Sequence, residues 1–302
     1  MKILVTGGAG FIASHIVDNL ITLGHKVCIV DSMIHGREEN VNKHAVIKKI
    51  DIRNNRLIDV FKEFKPEIVI HNAAQISVSS SIKNPLADAS INILGSINVL
   101  ESCRKVCVRK IIYPASAAIF GPPLYLPIDE NHPLNMISGY GVTKHTVEHY
   151  LQYYKSLYNI DYVILRYSNV YGPRQDSTGE GGVISIFCDN ILKNISPYIY
   201  GDGEQLRDFI YVKDIVSANI MAIEYLNNGI YNVCSSNKIS VNELLVIINE
   251  VSNKNIKPIY TSERIGDIRD SYMTYGKMKD EIGWEPKYDL YSGIKETIEY
   301  LK

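Results

Sequence analysis

The stretch TGGAGFIAS, Thr6 to Ser14, constrains the fold more than any other part of this chain. It follows the apolar run KILVT and precedes an amphipathic stretch, SHIVDNLITLG. A strand that ends in closely spaced glycines and opens directly into a helix makes a tight turn. Gly7 and Gly10 let the backbone approach a pyrophosphate, and Phe11 and Ile12 begin a helix whose first amides point at it. Ala13 stands where a third small residue allows the helix to pack closely on the sheet. The next apolar run, KVCIV, ends at Asp31, about 20 residues on, where a carboxylate accepts from an adenosine ribose 2′-OH. Its charge repels a 2′-phosphate, so the expected cofactor is NAD and not NADP.

The rest of the first half repeats this grammar. AVIKKI, EIVIHNA, KIIYPAS and YVILRY are short, rich in Val and Ile, and nearly continuous in hydrophobicity, as strands buried on both faces are. Helical stretches such as INILGSINVLESCRKV lie between most of them. The expected fold class is therefore α/β: a Rossmann-type, doubly wound parallel sheet with right-handed crossovers. Beyond about Asn169 the loops lengthen and become Gly-rich, which predicts a smaller C-terminal substrate-binding lobe. The expected division is 1–170 for the NAD-binding domain and 171–302 for the second lobe, with some segments returning to the first.

Two further strand ends offer cofactor contacts. Asp51 and Ile52 follow the third strand; Asp51 reads equally as an adenine contact and as a loop carboxylate or helix cap. Ala73, in HNAA after the fourth strand, is small enough for a cofactor to lie against the chain.

The chemistry is expected at the next strand end. PASAAIFG offers Ser116, and SGYGVTK later places Tyr140 and Lys144 four residues apart, on one face of a helix. Each alone reads equally as a turn serine, a core tyrosine and a solvated lysine. Together behind a dinucleotide fold they make a base. Removing a proton from a sugar hydroxyl needs a group that titrates near neutrality. Tyrosine starts near ~10, and a nearby ammonium favours its phenolate.

Composition excludes several classes. Hydrophobic residues make up 46% and charged residues 22%, with a formal net charge of -1. That describes a globular chain without the basic excess of a nucleic-acid partner. No run approaches the roughly 20 apolar residues of a membrane span, and the opening MKILVTGG does not resemble a signal peptide. Cys28, Cys103, Cys107, Cys188 and Cys234 are odd in number and scattered, so they read as free thiols in a reducing cytoplasm. No histidine or second pair completes a metal site with Cys103 and Cys107, and no metal is expected.

In order along the chain, TGGAGFIAS, Asp31, PASAAIFG, YGVTK, LRYSNVYGPRQ, GDGEQLRDFIYVKD and RIGDIRDS resemble the extended short-chain dehydrogenase/reductase family, and within it the UDP-glucose and UDP-N-acetylglucosamine 4-epimerases. The resemblance runs from about Lys2 to the final helix. It implies that Tyr140 is the base, Lys144 its partner and ribose holder, and Ser116 the second hydroxyl. It implies Tyr167 near the nicotinamide, Asn169, Arg207 and Arg264 on a UDP diphosphate, and Asp267 toward the uridine. Arginine suits a diphosphate because its planar guanidinium pairs bidentately with phosphate oxygens. The family's dehydratases carry an Asp-Glu pair where this chain has Ala117 and Ala118, so dehydration is not expected. Ser271 stands where members restricted to non-acetylated sugars carry a bulky aromatic, which leaves room for an N-acetyl group. Ala115 and Phe120 depart from the family pattern, each without a hydroxyl that is usual there. The resemblance also implies a homodimer built on two helices of the first lobe. Rival readings are an epimerase on another nucleotide sugar such as a UDP-uronic acid, a net dehydrogenase or reductase, and a catalytically silent dinucleotide sensor.

Overall fold

In a computed structural model the protein is described over residues 1–178, 182–224, 228–263 and 267–302. Two compact units interleave along the chain. The first comprises Met1–Phe120, Leu134–Arg166 and Val216–Tyr231; the second comprises Gly121–Pro133, Tyr167–Ile215 and Asn232–Lys302.

The first unit opens with β1 (Lys2–Thr6), α1 (Phe11–Thr22), β2 (Lys26–Asp31), β3 (Val46–Lys49), α2 (Leu57–Phe64) and β4 (Ile68–His71). There follow α3 (Val78–Lys83), α4 (Pro85–Ala89), α5 (Gly95–Lys105), β5 (Lys110–Ser116), α6 (Gly139–Tyr158) and β6 (Asp161–Tyr167). The strands form a seven-stranded parallel sheet in the order β11-β6-β5-β4-β1-β2-β3, with β11 at Gly229–Val233. Ile3, Leu4 and Val5 of β1 and Ile68, Val69 and Ile70 of β4 are fully buried, because helices cover both faces. Helix α1 buries Ala13, Ile16, Val17 and Leu20, spaced as one helical stripe.

The order reverses between β1 and β4. In such sheets ligands bind outside the carboxyl ends of the strands at the reversal. Thr6 pairs in register with His71, so the two loops that follow leave the sheet side by side. A Cβ added to Gly7, whose φ is +69°, would lie 2.8 Å from the Ala73 amide nitrogen. Glycine is needed there both for the positive φ and for the close approach.

The second unit includes β7 (Asn169–Tyr171), α7 (Val183–Leu192), β8 (Tyr198–Tyr200), β9 (Leu206–Arg207), β10 (Phe209–Tyr211) and α8 (Val212–Glu224), the last of which runs on into the first. It continues with β12 (Ile239–Ser240), α9 (Val241–Ser252), β13 (Ile259–Thr261), β14 (Asp270–Ser271), α10 (Gly276–Ile282) and α11 (Leu290–Leu301). Its sheets are small. One holds three strands in the order β12-β9-β14, and two others hold two strands each. Ser240 and Glu243 cap α9 reciprocally, each side chain accepting from the other's backbone N–H. Among the described residues no helix is long and apolar enough to cross a membrane.

Candidate active site

The cofactor end is built by the carboxyl ends of β1, β2 and β4. The turn after β1 closes with the Gly10 amide donating to the Gly7 carbonyl at 3.0 Å, and Phe11 and Ile12 begin α1. Asp31, 7% exposed, accepts from the Ala9 amide at 3.0 Å and from the Met33 amide at 2.8 Å. Asp31 thus also secures the glycine turn. The Thr6 hydroxyl holds the turn after β4, accepting from the Ala73 amide at 3.1 Å. The adjacent Asn72 Nδ2 is buried without a partner. An orphaned donor beside a cradle that a Cβ would fill fits the phosphates and ribose of a dinucleotide.

Asp51 pairs with Arg53, whose guanidinium lies 2.6 Å away, and accepts from the Arg53 amide. That hydrogen bonding carries the carboxyl below its ordinary range. Ile52 is 5% exposed and packs in the core beside Gly95.

The catalytic candidates meet in the first unit. β5 ends at Ser116, which enters a 3-10 turn over Ala117–Ile119 and accepts from the Ala118 amide at 3.2 Å. Ser138 caps α6 by accepting from the Gly141 amide at 3.1 Å, which puts Tyr140 in the first turn and Lys144 one turn later. A Cβ on Gly141 would lie 2.7 Å from the Ala118 carbonyl oxygen, so this glycine lets the helix start approach the Ser116 loop. Ser116 is near enough to favour the ionised form of the Tyr140 phenol. The Lys144 ammonium sits over the Tyr113 ring, 4.3 Å from its centroid, and is 4% exposed.

The electrostatics differ from the sequence expectation. Burial raises the Tyr140 pKa, Ser116 opposes that, and Asp88 adds to it. Burial lowers Lys144 to about 7, against the pull of Glu148 and Asp88. A dry cleft disfavours both charges, and here that cost exceeds the help each receives. The chain's own groups therefore hold Tyr140 as a phenol at neutral pH.

Several residues around this pair escaped the sequence reading. A π-type turn at Ser90–Leu94 inserts Asn92 toward α6. Its amide donates to Asp88 at 3.0 Å and to the Thr143 hydroxyl at 3.1 Å. Thr143 in turn donates to Asp88 at 2.8 Å. Asp88 and Thr143 lie far apart in sequence, and no local pattern announces their contact. Glu148 also escaped, although it stands one turn past Lys144, a helical spacing that could have pointed to it. It is 1% exposed and forms a two-point pair with Arg166 at 3.0 and 2.8 Å. Phe120 lies against the Arg166 guanidinium, 5.2 Å from ring centroid to carbon. A phenyl ring there gives the buried cation a π face.

In the second unit, β9 and β14 bring Arg207 and Ser271 into register. Arg207 donates to Asp267 at 2.7 Å and to the carbonyls of Leu206 and Arg269. Its side chain is 16% exposed, which leaves a guanidinium held in place by its neighbours. Asn169 is exposed and donates from its amide to the Asp208 carbonyl at 2.8 Å. Tyr167 ends β6 at 5% exposure. Arg264 lies outside the described residues. Among those residues no group of three His, Cys, Asp or Glu side chains has the geometry of a metal site.

Comparison with known proteins agrees with this fold. Residues 3–234 match the NAD dependent epimerase/dehydratase family. A putative UDP-glucose 4-epimerase of Methanocaldococcus jannaschii is 48% identical, over 99% of this chain and 98% of its own. The crystal structure of UDP-glucose 4-epimerase from Thermotoga maritima with UDP-glucose superposes at a TM-score of 0.98, with 41% identity over 100% of this chain and 98% of that one. A UDP-N-acetylglucosamine 4-epimerase from Methanobrevibacter ruminantium, in complex with UDP-N-acetylmuramic acid, superposes at 0.95 with 38% identity, over 99% and 97%.

Proposed function

This chain belongs to the NAD dependent epimerase/dehydratase family, and we propose that it is a UDP-hexose 4-epimerase interconverting UDP-glucose and UDP-galactose, and also the N-acetylhexosamine pair. The observation that carries the reading is Ser116 close to the buried Tyr140, with Lys144 one turn on. Alanines follow Ser116 where dehydration would need acids.

Tyr140 takes the proton of the sugar 4-OH, and Ser116 holds the reacting oxygen in line. Lys144 binds the ribose of the cofactor and supports the phenolate. Gly7, Gly10 and Asp31 hold the dinucleotide at the end of the sheet, with Phe11, Ile12, Asp51, Ile52, Ala73 and Tyr167 completing its contacts. NAD held there would supply the hydride acceptor for C4, and its positive nicotinamide would favour the Tyr140 phenolate where the protein's own groups do not. Asn169, Arg207 and Arg264 hold the UDP diphosphate while the sugar turns, Asp267 fixes Arg207 toward the uridine end, and Ser271 leaves space at C2. The UDP-N-acetylglucosamine 4-epimerase among the similar structures supports the acetylated pair.

The five cysteines are free, four of them buried, which suits work in the reducing cytoplasm. Self-association is proposed through α5 and α6. Leu94, just before α5, and Tyr153 and Leu157 of α6 are 62%, 51% and 56% exposed, apolar side chains that a partner's helices would cover. Leu157→Glu should convert a dimer to monomers in light scattering; an unchanged mass would refute this pairing face.

A proton NMR time course with UDP-galactose and UDP-N-acetylgalactosamine, NAD supplied, tests the main reading. Formation of both 4-epimers is expected. Conversion of neither would overturn it and direct attention to UDP-uronic acids.

A further inference from the structure

Helix α6 carries a histidine pair that the catalytic reading does not use. His145 and His149 stand one turn apart, with their Nε2 atoms 3.0 Å from each other. The rings lie at 69° with centroids 4.5 Å apart. His149 is exposed, and the His145 side chain is 17% exposed. By helical geometry His145 falls about 80° around α6 from Tyr153, on the flank of the exposed apolar face.

The other nitrogen of His145 is also engaged. Nδ1 lies 3.0 Å from Glu148 Oε2, and Arg166 fixes that carboxylate in turn. Burial pushes the Glu148 carboxyl up, but His145 and Arg166 together carry it below its ordinary value. Glu148 is therefore an acceptor, and His145 donates to it from Nδ1. The Nε2 of His145 is then left with a lone pair, aimed at His149. Two imidazole lone pairs do not face each other at this distance with nothing between them. Either His149 carries its proton on Nε2 and donates, or a cation is shared.

The geometry suits the second case. Imidazole nitrogens bind zinc at about 2.0–2.1 Å. Two such bonds place their nitrogens about 2.9 Å apart at a right angle and about 3.4 Å apart at the tetrahedral angle. The observed separation lies inside that range without any rotation. Histidines four apart on a helix are a known zinc-binding spacing. A carboxylate on the remote ring nitrogen is the usual support of a metal-bound histidine, since it fixes both tautomer and orientation.

We propose that His145 and His149 form a two-nitrogen site for a transition-metal ion of the zinc or nickel type, with Glu148 orienting His145. Among the described residues no third side chain joins the pair. Water fills the remaining positions, and the ion exchanges with solvent. The site does not depend on the epimerase reading.

Zinc and nickel titrations of untagged, chelator-treated protein, with a competing colorimetric indicator, test this. One ion per chain is expected. His149→Ala alters an exposed side chain, so the variant should fold. It should weaken binding by more than the roughly 10–100-fold typical of losing a supporting partner. His145→Ala should do the same, and both variants should lose retention on nickel resin. Unchanged affinity and stoichiometry in His149→Ala would overturn the proposal and leave a plain His–His hydrogen bond. So would failure of the unsubstituted chain to bind either metal.

Discussion

Tyr140 shows how much one side chain depends on its setting. At its place in the sequence it is a phenol near a lysine. In the structure it is buried, close to Ser116, and shifted away from phenolate. Its proposed role as base then rests on charge brought by the cofactor as well as on Lys144. Tyr140→Phe should lower kcat for epimerisation by about 10²–10⁴-fold, the usual worth of a positioned acid–base group. Circular dichroism should show the fold intact, and full turnover would sink the assignment. Ser271 makes a second test, because its register with Arg207 puts it beside the proposed diphosphate anchor. Ser271→Tyr should suppress turnover of the N-acetylated sugar more than that of the plain one. Equal loss of both would mean that Ser271 does not line the C2 pocket.

Helix α6 carries Tyr140 in its first turn, Lys144 one turn later, and Glu148, half of a buried ion pair, one turn after that. Glu148 and Arg166 tie it to β6, and both are nearly inaccessible to water. Such a pair contributes little net stability against an apolar alternative, but half of it is costly. Glu148→Gln leaves the Arg166 charge uncompensated and should cost about 3–5 kcal/mol in urea denaturation. A loss below about 1 kcal/mol would show that water reaches Arg166 in the variant. The glycines at the two turns act by geometry instead. Gly7→Ala places a methyl against the Ala73 backbone at an unfavourable φ, and it should release NAD on gel filtration while the unsubstituted protein keeps more of it.

Across the whole molecule, acid sensitivity has an identifiable source. His71 is buried between the Thr6 and Ser96 hydroxyls at 2.7 and 2.8 Å. Burial, with help from the charge of Lys144, lowers its pKa to about 3. The unfolded chain takes up a proton near pH 6.5 and the folded one does not, so stability from this group is full above 6.5 and lost as the pH falls toward 3. The loss should reach about 3 kcal/mol at pH 4. Urea midpoints of the protein and of His71→Asn, measured from pH 7 to pH 4, should diverge in slope over that window. Parallel slopes would mean that His71 protonates without unfolding. The interleaving of the two units also belongs to this scale, since residues 216–231 join the first unit after a long passage through the second.

Local pattern in the sequence determined the class of fold and the order of its parts. Continuous Val/Ile runs, glycines at one strand end and an acid at the next each act within a few residues, and hydrophobic burial and backbone sterics read them directly. The parallel sheet and the family followed from that. Tertiary structure alone decided which distant groups face the catalytic pair. Asp88 meets Thr143 directly, and a π-type turn sets Asn92 against both. The electrostatic state of Tyr140 and Lys144 likewise could not be read from their spacing. It depends on how far water is excluded around them, and exclusion is a property of the packed core.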